Sequence, residues 1–157
     1  MKLITLAALL FIAPALYAAE VLDIEFKDSG GKLYNTTTLS KDITLHYGRA
    51  FAAIDMKVLL IQTPTLSHKK YQVQNTNLDA LGHETEELQV IFITACTQQE
   101  YLHGYHTSVE TAKRLSSAKH PFRVRLLNSK GVVLKDSSFP VSTNELRRWL
   151  KQKKDKF

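Results

Sequence analysis

The sequence predicts an α/β domain in which helices flank a mixed four-stranded central sheet. Two continuous apolar runs, Lys57–Gln62 (KVLLIQ) and Leu88–Ala95 (LQVIFITA), are typical of strands that are covered on both faces. The stretch between them, Leu66–Leu81, has apolar residues at helical spacing and ends at Gly82. Because strands joined through a helix run parallel with a right-handed crossover, the two runs are predicted to be parallel neighbours.

A hairpin pattern supplies the antiparallel half of the sheet. Pro121 opens an apolar strand at Phe122–Leu127, Asn128–Gly131 is a turn signal, and Val132–Lys135 is predicted to return beside the first strand. Together with the two helices described next, the predicted elements follow the order β-α-β-α-β-β-α, which is the thioredoxin arrangement.

Two capping boxes predict where the remaining helices begin. In Thr107–Glu110 the Thr107 oxygen accepts an amide hydrogen bond of the first turn while Glu110 reaches back, and this helix is predicted to extend to Ala118. Ser142–Glu145 is the second box and precedes the final helix.

The residues before the central strands predict a small N-terminal β extension, residues 20–55. Val21–Phe26 alternates apolar and polar side chains, Asp28–Gly31 is a turn signal, and Lys32–Tyr34 is predicted to return as a hairpin. Residues 56–152 form the predicted main domain.

The first 19 residues have the pattern of a cleavable signal peptide. Lys2 precedes an uncharged apolar run of 11 residues, Leu3–Ala13, and small residues follow Pro14 at Ala15, Ala18 and Ala19. The run is shorter than the roughly 20 residues that a membrane-spanning helix needs. We therefore expect a periplasmic or secreted protein with no transmembrane anchor after cleavage.

The mature chain is predicted to be moderately basic. Loss of Lys2 from the 21 Lys+Arg leaves a net charge of +5 against 15 Asp+Glu, and much of the excess lies between Arg147 and Lys156. We interpret this run, with its basic tail at 153–157, as a solvated helix end. The alternative is contact of the C-terminal helix with anionic lipid; nucleic acid is not an expected partner, because no aromatic platform accompanies the basic residues.

Several segments resemble the DUDES family, thioredoxin-like domains of unknown function found in bacterial exported proteins and in animal sushi-repeat proteins. The resemblance covers Met56–Leu150 and is carried by KVLLIQTP from Lys57, the strand at Leu88–Thr94, and FRVRLLNSKGVVLKDSSFPVSTNELRRWL from Phe122. It implies a thioredoxin-like fold that has lost its redox cysteines, in candidate redox-related, adhesion or matrix proteins.

The resemblance also locates the missing redox site. Thioredoxin-like proteins carry Cys-x-x-Cys between the first central strand and the next helix, where the helix N-terminus stabilises a thiolate. Here the corresponding stretch, Thr63–Lys69, contains no sulfur. We call this stretch the corner. Its candidate binding residues for a peptide or an anion are Thr65, Ser67 and His68, and an ordinary helix start is the alternative.

Pro121 stands where thioredoxin-like folds commonly keep a cis-proline facing the active site, and it joins the binding candidates. Ser67 beside His68 superficially suggests an activated nucleophile. Adjacent helical residues point about 100° apart, however, so a Ser/His catalyst is not expected.

Cys96 is the single cysteine, so no disulfide or dithiol pair can form within one molecule. It follows the second central strand, and a buried, inert thiol is the expected state. The alternative is a one-cysteine redox protein, which needs an accessible thiol of low pKa.

His103 and His106 are three residues apart, with Glu100 nearby, which is a spacing able to share zinc or copper. A polar surface loop is the preferred interpretation. The sequence thus predicts a non-catalytic binding or accessory protein with an unknown protein or peptide partner and no cofactor. The single-cysteine redox protein and the metal-binding module are the alternatives, and whether the chain is an enzyme stays open.

Overall fold

The computed structural model describes residues 19–39 and 56–151. Their strands form one seven-stranded sheet in the order β2-β1-β5-β4-β3-β6-β7. The strands are β1 (Glu25–Lys27), β2 (Leu33–Asn35), β3 (Lys57–Thr63), β4 (Val90–Cys96), β5 (Tyr105–His106), β6 (Arg123–Leu127) and β7 (Val133–Ser137).

Four helices lie among the described residues. They are α1 (Lys69–Asp79), α2 (Glu84–Glu87), α3 (Val109–Leu115) and α4 (Thr143–Lys151). None of the helices in these ranges is long and apolar enough to cross a membrane.

The central part of the sheet has the predicted pairing. β3 runs parallel to β4 from Lys57 beside Val90 to Thr63 beside Cys96, and it runs antiparallel to β6. β7 then pairs antiparallel with β6. The predicted four-stranded mixed sheet is therefore confirmed as β4-β3-β6-β7.

Alternate residues of β3 enter two separate cores, as expected for a strand covered on both faces. Val58 and Leu60 pack with Ile93 and Ala112, on the face covered by α3 and the N-terminal segment. On the other face the core residues from the strands and from α1 and α4 include Leu59, Ile61, Leu78, Leu146 and Trp149.

The N-terminal β extension forms as a hairpin but is part of the main sheet. β1 pairs antiparallel with β2 and, through Lys27 and His106, with β5. Phe26 is 1% exposed and stacks on Tyr34 with ring centroids 5.5 Å apart. The extension thus supplies core side chains to the face that carries Val58 and Leu60.

Several predicted boundaries differ from the observed ones. α1 begins at Lys69 rather than Leu66 because Thr65–His68 forms a turn, in which the His68 amide donates to the Thr65 carbonyl at 3.3 Å. α3 ends at Leu115 rather than Ala118, since Ser116 is already extended. The short helix α2, immediately before β4, was not predicted.

The first predicted capping box is wrong in its residues. Ser108, not Thr107, is the N-cap of α3, and its hydroxyl accepts from the Thr111 amide at 3.1 Å. The Thr107 hydroxyl instead donates to the Ser108 carbonyl. At the second box the Ser142 hydroxyl accepts from the Glu145 amide at 3.2 Å, but the Glu145 carboxylate accepts from the Trp149 indole instead of reaching back.

The predicted signal peptide lies outside the described residues except for Ala19. The second half of the predicted extension, 40–55, and the basic tail also lie outside them.

Candidate functional site

The corner lies between the end of β3 and the beginning of α1. Because β3 and β4 are parallel, their carboxyl ends meet at the same edge of the sheet, and Thr63 lies directly beside Cys96. Ligand sites of open α/β sheets lie beyond this edge. The corner and the single thiol are therefore neighbours, although they belong to different strands.

Glu100 joins the thiol to the corner. Its Oε2 atom accepts from the Leu66 amide at 2.6 Å and from the Cys96 thiol at 3.2 Å. The Pro64 carbonyl, 3.5 Å from the sulfur, is a second acceptor within reach of the single thiol hydrogen. The Glu100 carboxylate thus accepts a hydrogen bond from a backbone amide of the corner.

This environment keeps Cys96 protonated. The residue is 1% exposed, and burial together with the neighbouring Glu100 carboxylate raises the pKa of the thiol above its ordinary value. Because the thiolate is the nucleophilic form, a buried thiol of raised pKa is suited to packing and not to attack.

The N-terminus of α1 is the polar part of the corner. His68 is the N-cap residue but makes no side-chain capping bond, so the amides of the first turn have no side-chain acceptor from it. The Thr65 and Ser67 hydroxyls lie 3.1 Å apart and bond to each other. Amides and hydroxyls at a helix N-terminus can bind an anionic or carbonyl group.

The His68 imidazole packs against the strand that follows Pro121. It stacks on the Phe122 ring with centroids 6.1 Å apart and an interplanar angle of 4°. Its Nδ1 atom is buried and has no hydrogen-bond partner among the residues that the structure describes. The structure therefore brings Thr65, Ser67 and His68 together with the start of β6.

Pro121 is exposed and precedes Phe122, which is 1% exposed. The peptide bond before Pro121 is trans, since no peptide bond in residues 19–39 and 56–151 is cis, so Pro121 is not the cis-proline that thioredoxin-like folds commonly keep at this position.

No hydrogen bond joins Ser67 to His68. The Ser67 hydroxyl is instead bonded to Thr65. A nucleophile and its base need a direct hydrogen bond, and this pair has none.

His103 and His106 do not form a metal centre with Glu100. Glu100 is directed to the corner, and the His106 Nδ1 atom lies 2.9 Å from the Gly104 carbonyl. His103 makes an edge contact with the Tyr101 ring. Within residues 19–39 and 56–151 no three His, Cys, Asp or Glu side chains are grouped so that they can hold a metal ion.

The basic residues of α4 are partly neutralised by carboxylates of the chain. Arg147 donates to both carboxylate oxygens of Glu84, at 2.9 to 3.1 Å, and Arg148 pairs with Glu145 at 2.7 Å. Two of the basic side chains of α4 are thus paired within the chain.

Two residues of the site were not assigned to it from the sequence. The sequence predicts Glu100 only as a neighbour of His103 and His106, and Phe122 only as a strand residue. A signal for Glu100 was present, because it follows the carboxyl end of a strand predicted to be parallel to β3. Nothing local in the sequence pairs Phe122 with His68.

Comparisons with solved structures identify the fold. The chain is similar to peroxidoxin BcpB from Mycobacterium tuberculosis (13% identity, 84% of this chain, 92% of that chain, TM-score 0.55). It is also similar to StoA from Bacillus subtilis, with 14% identity over 85% of this chain and 100% of that chain and a TM-score of 0.56. A thioredoxin-like protein from Bacteroides caccae has 12% identity over 84% of this chain and 48% of that chain, with a TM-score of 0.50. No protein-family model and no curated protein matches the sequence. At these identities the likeness shows the fold, which is thioredoxin-like, and the chain carries it with one cysteine.

Proposed function

We propose that this chain is an exported thioredoxin-like domain that acts as a non-catalytic binding or accessory protein and contacts its protein or peptide partner through the corner. The observation that carries the proposal is a set of internal contacts at the position where thioredoxin-like proteins carry Cys-x-x-Cys. Where a Cys-x-x-Cys would stand, the Leu66 amide bonds to Glu100, and the single thiol is buried against the same carboxylate.

The polar groups that remain at the corner support a binding role. The first-turn amides of α1 lack a side-chain cap, and Ser67 is exposed next to them. Lys69, at the first position of α1, is also exposed and adds a positive charge. A carboxylate or backbone carbonyl of a partner is the chemistry that such a helix start attracts.

The absence of thiol chemistry is tested with a thiol reagent. We expect Cys96 to react with a disulfide reagent at least a hundredfold more slowly in the native protein than after denaturation. We also expect wild type and Cys96→Ser to be equal in assays of disulfide reduction and peroxide consumption. Rapid native labelling, or an activity lost in Cys96→Ser, would favour the single-cysteine redox protein instead.

The binding surface is tested by site-specific photocrosslinking of the full chain in the exported fraction. A photoreactive amino acid replaces Ser67 in one variant and Lys130 in the control. Lys130 is also exposed, but it lies in the β6–β7 turn, at the opposite end of the sheet from the corner. We expect a discrete adduct from position 67 only. Recovery of the chain from the cytoplasmic fraction alone would disprove export, and equal crosslinking at both positions would disprove the corner as the contact.

A further inference from the structure

The outer edge of β4 is only partly paired. β5 contacts β4 at two positions, Ile93 beside Tyr105 and Thr94 beside His106. The first three residues of β4, Val90–Phe92, extend beyond β5 and have no strand partner on that side among the residues that the structure describes. These three residues are called the β4 edge.

The direction of the backbone groups follows from the two sides that are paired. The Gln89 carbonyl accepts from Lys57 on the β3 side, whereas the Thr94 carbonyl accepts from Thr107 on the β5 side. Since successive residues of a strand direct their groups to alternate neighbours, Val90 and Phe92 direct their amides toward the open side. Ile91 directs its amide toward β3.

A cleft lies along this edge. Its volume is about 890 Å³, and it is lined by residues from both faces of β4, including Ile91 and Phe92. Met56 lines it on one face, Tyr71 on the other, and Gly104 bounds it next to β5. The cleft therefore surrounds the free backbone of β4 with apolar and aromatic side chains.

The cleft has an acidic rim. Asp79, the last residue of α1, and Glu86 of α2 both line it and are exposed. Neither carboxylate forms an ion pair or a side-chain hydrogen bond within residues 19–39 and 56–151. Lys and Arg are absent from the described lining. On a chain of net positive charge, this rim is a local patch of negative charge.

We propose that the β4 edge binds an extended, basic peptide segment of another protein by β-strand addition. The backbone of the segment bonds to the outward amide and carbonyl of Val90 and to the outward amide of Phe92, whose carbonyl is already on the side paired with Tyr105. Its alternate side chains fall on the two faces of the sheet. Lys or Arg side chains on the α1 side meet Asp79 and Glu86. The proposal does not depend on the corner, since the edge is the opposite end of β4.

Amide hydrogen exchange of the full chain gives the first test. In the free protein we expect the Val90 and Phe92 amides to exchange at least tenfold faster than the Ile91 amide, which is bonded to β3. Slow exchange of Val90 in a dilute sample would mean that residues 40–55 already cover the edge. Protection that appears only at high protein concentration, with dimers in sedimentation, would mean that a second copy covers it; either result overturns the proposal.

The second test uses the acetylated and amidated peptide KVKVKV as the probe. We expect it to slow exchange at Val90 and Phe92 and to leave Ile91 unchanged. The acidic peptide EVEVEV and a KVKVKV peptide methylated on alternate backbone nitrogens should not do so. Equal effects of all three peptides, or no effect of any, would contradict strand addition.

The acidic rim is tested with a charge-matched pair of double variants. Asp79→Lys with Glu86→Lys should raise the apparent Kd for KVKVKV about tenfold at low salt. Glu87→Lys with Glu110→Lys changes the net charge equally, but these exposed residues do not line the cleft, and we expect less than a twofold effect. Similar losses of affinity in both double variants would show a non-specific charge effect and would contradict binding of the peptide at the acidic rim.

Discussion

At the scale of single residues, the Glu100 carboxylate accepts two hydrogen bonds at the corner, one from the Leu66 amide and one from the Cys96 thiol. A charged acceptor strengthens both bonds. Its negative charge also opposes ionisation of the thiol beside it, so the same side chain bonds to the corner and raises the pKa of Cys96.

Glu100→Gln should lower the pKa of Cys96, because the amide keeps an acceptor oxygen but carries no charge. The expected result is a rise in the native alkylation rate at pH 8 and a displacement of its pH profile toward lower pH. The measurement is the rate of iodoacetamide alkylation between pH 6 and pH 10. Glu110→Gln, at an exposed position of α3, is the matched control and should leave the pH profile of alkylation unchanged. An unaltered profile in Glu100→Gln would mean that burial alone keeps the thiol protonated.

At the scale of elements, hydrophobic patterning predicted the central strands well because burial on both faces leaves an unbroken apolar run. Lys57–Thr63 differs from its prediction by one residue. β4 begins two residues late because Gln89 has a φ of 50°, a left-handed turn conformation that ends the α2 segment, and no local pattern in LQVIFITA reveals it. The two-residue strand β5 is too short for any period to be read.

Helix starts were harder to predict, because two adjacent hydroxyl residues compete for the cap of α3. Ser108→Ala removes the acceptor of the Thr111 amide and should lower the free energy of unfolding by about 1 kcal/mol. Glu110→Ala removes the acceptor of the wrong prediction, in which Glu110 reaches back, and should change the free energy of unfolding by less than about 0.5 kcal/mol. Urea unfolding followed by circular dichroism measures both. A larger loss in Glu110→Ala than in Ser108→Ala would restore the predicted box.

The β6–β7 hairpin carries a pH-dependent ion pair. Arg123 donates to Asp136, with Nε 2.8 Å from Oδ1, and this contact lowers the pKa of the Asp136 carboxyl below its ordinary value. A lowered carboxyl pKa in the folded state gives stability that is present above the unfolded pKa, about 3.9, and is lost as the pH falls through the folded value.

Asp136→Asn should therefore destabilise the protein at pH 7 but not at strongly acidic pH. We expect the free energy of unfolding at pH 7 to fall by about 0.5 to 1 kcal/mol. The fall is small because both side chains are partly exposed and solvent screens the pair. The difference from wild type should shrink below about pH 4. Urea unfolding at pH 7, 4 and 2.5 measures it, and a loss that is constant across this range would assign the effect to packing instead of charge.

At the scale of the whole molecule, the order of elements predicted the thioredoxin-like sheet, but the place of the N-terminal hairpin did not follow from it. The alternation in VLDIEF predicts that one face of the strand is buried, but it does not indicate which residues pack against that face. The structure supplies the cover: Phe26, Tyr34 and Tyr105 form mutual ring contacts, so the hairpin continues the sheet through β5. The contacts of Tyr105 with Phe26 and Tyr34 join residues more than 70 positions apart and leave no local signal in the sequence.

A hairpin that shares the core should unfold together with the rest of the domain. Phe26→Ala removes a ring that is 1% exposed and should cost about 3 to 5 kcal/mol. Trp149, in the core on the opposite face of the sheet, reports the global transition by fluorescence. The expected result is one cooperative transition whose midpoint falls equally by fluorescence and by circular dichroism.

Leu33→Ala, in the partner strand of the same hairpin, is the matched control because its side chain is 58% exposed, and its midpoint should stay close to that of wild type. If Phe26→Ala left the Trp149 transition in place, the hairpin would be an independent appendage. Cooperative loss instead means that the hairpin is part of the folding unit, to which it is connected by the shared core and by the pairing of β5 with β1 and β4.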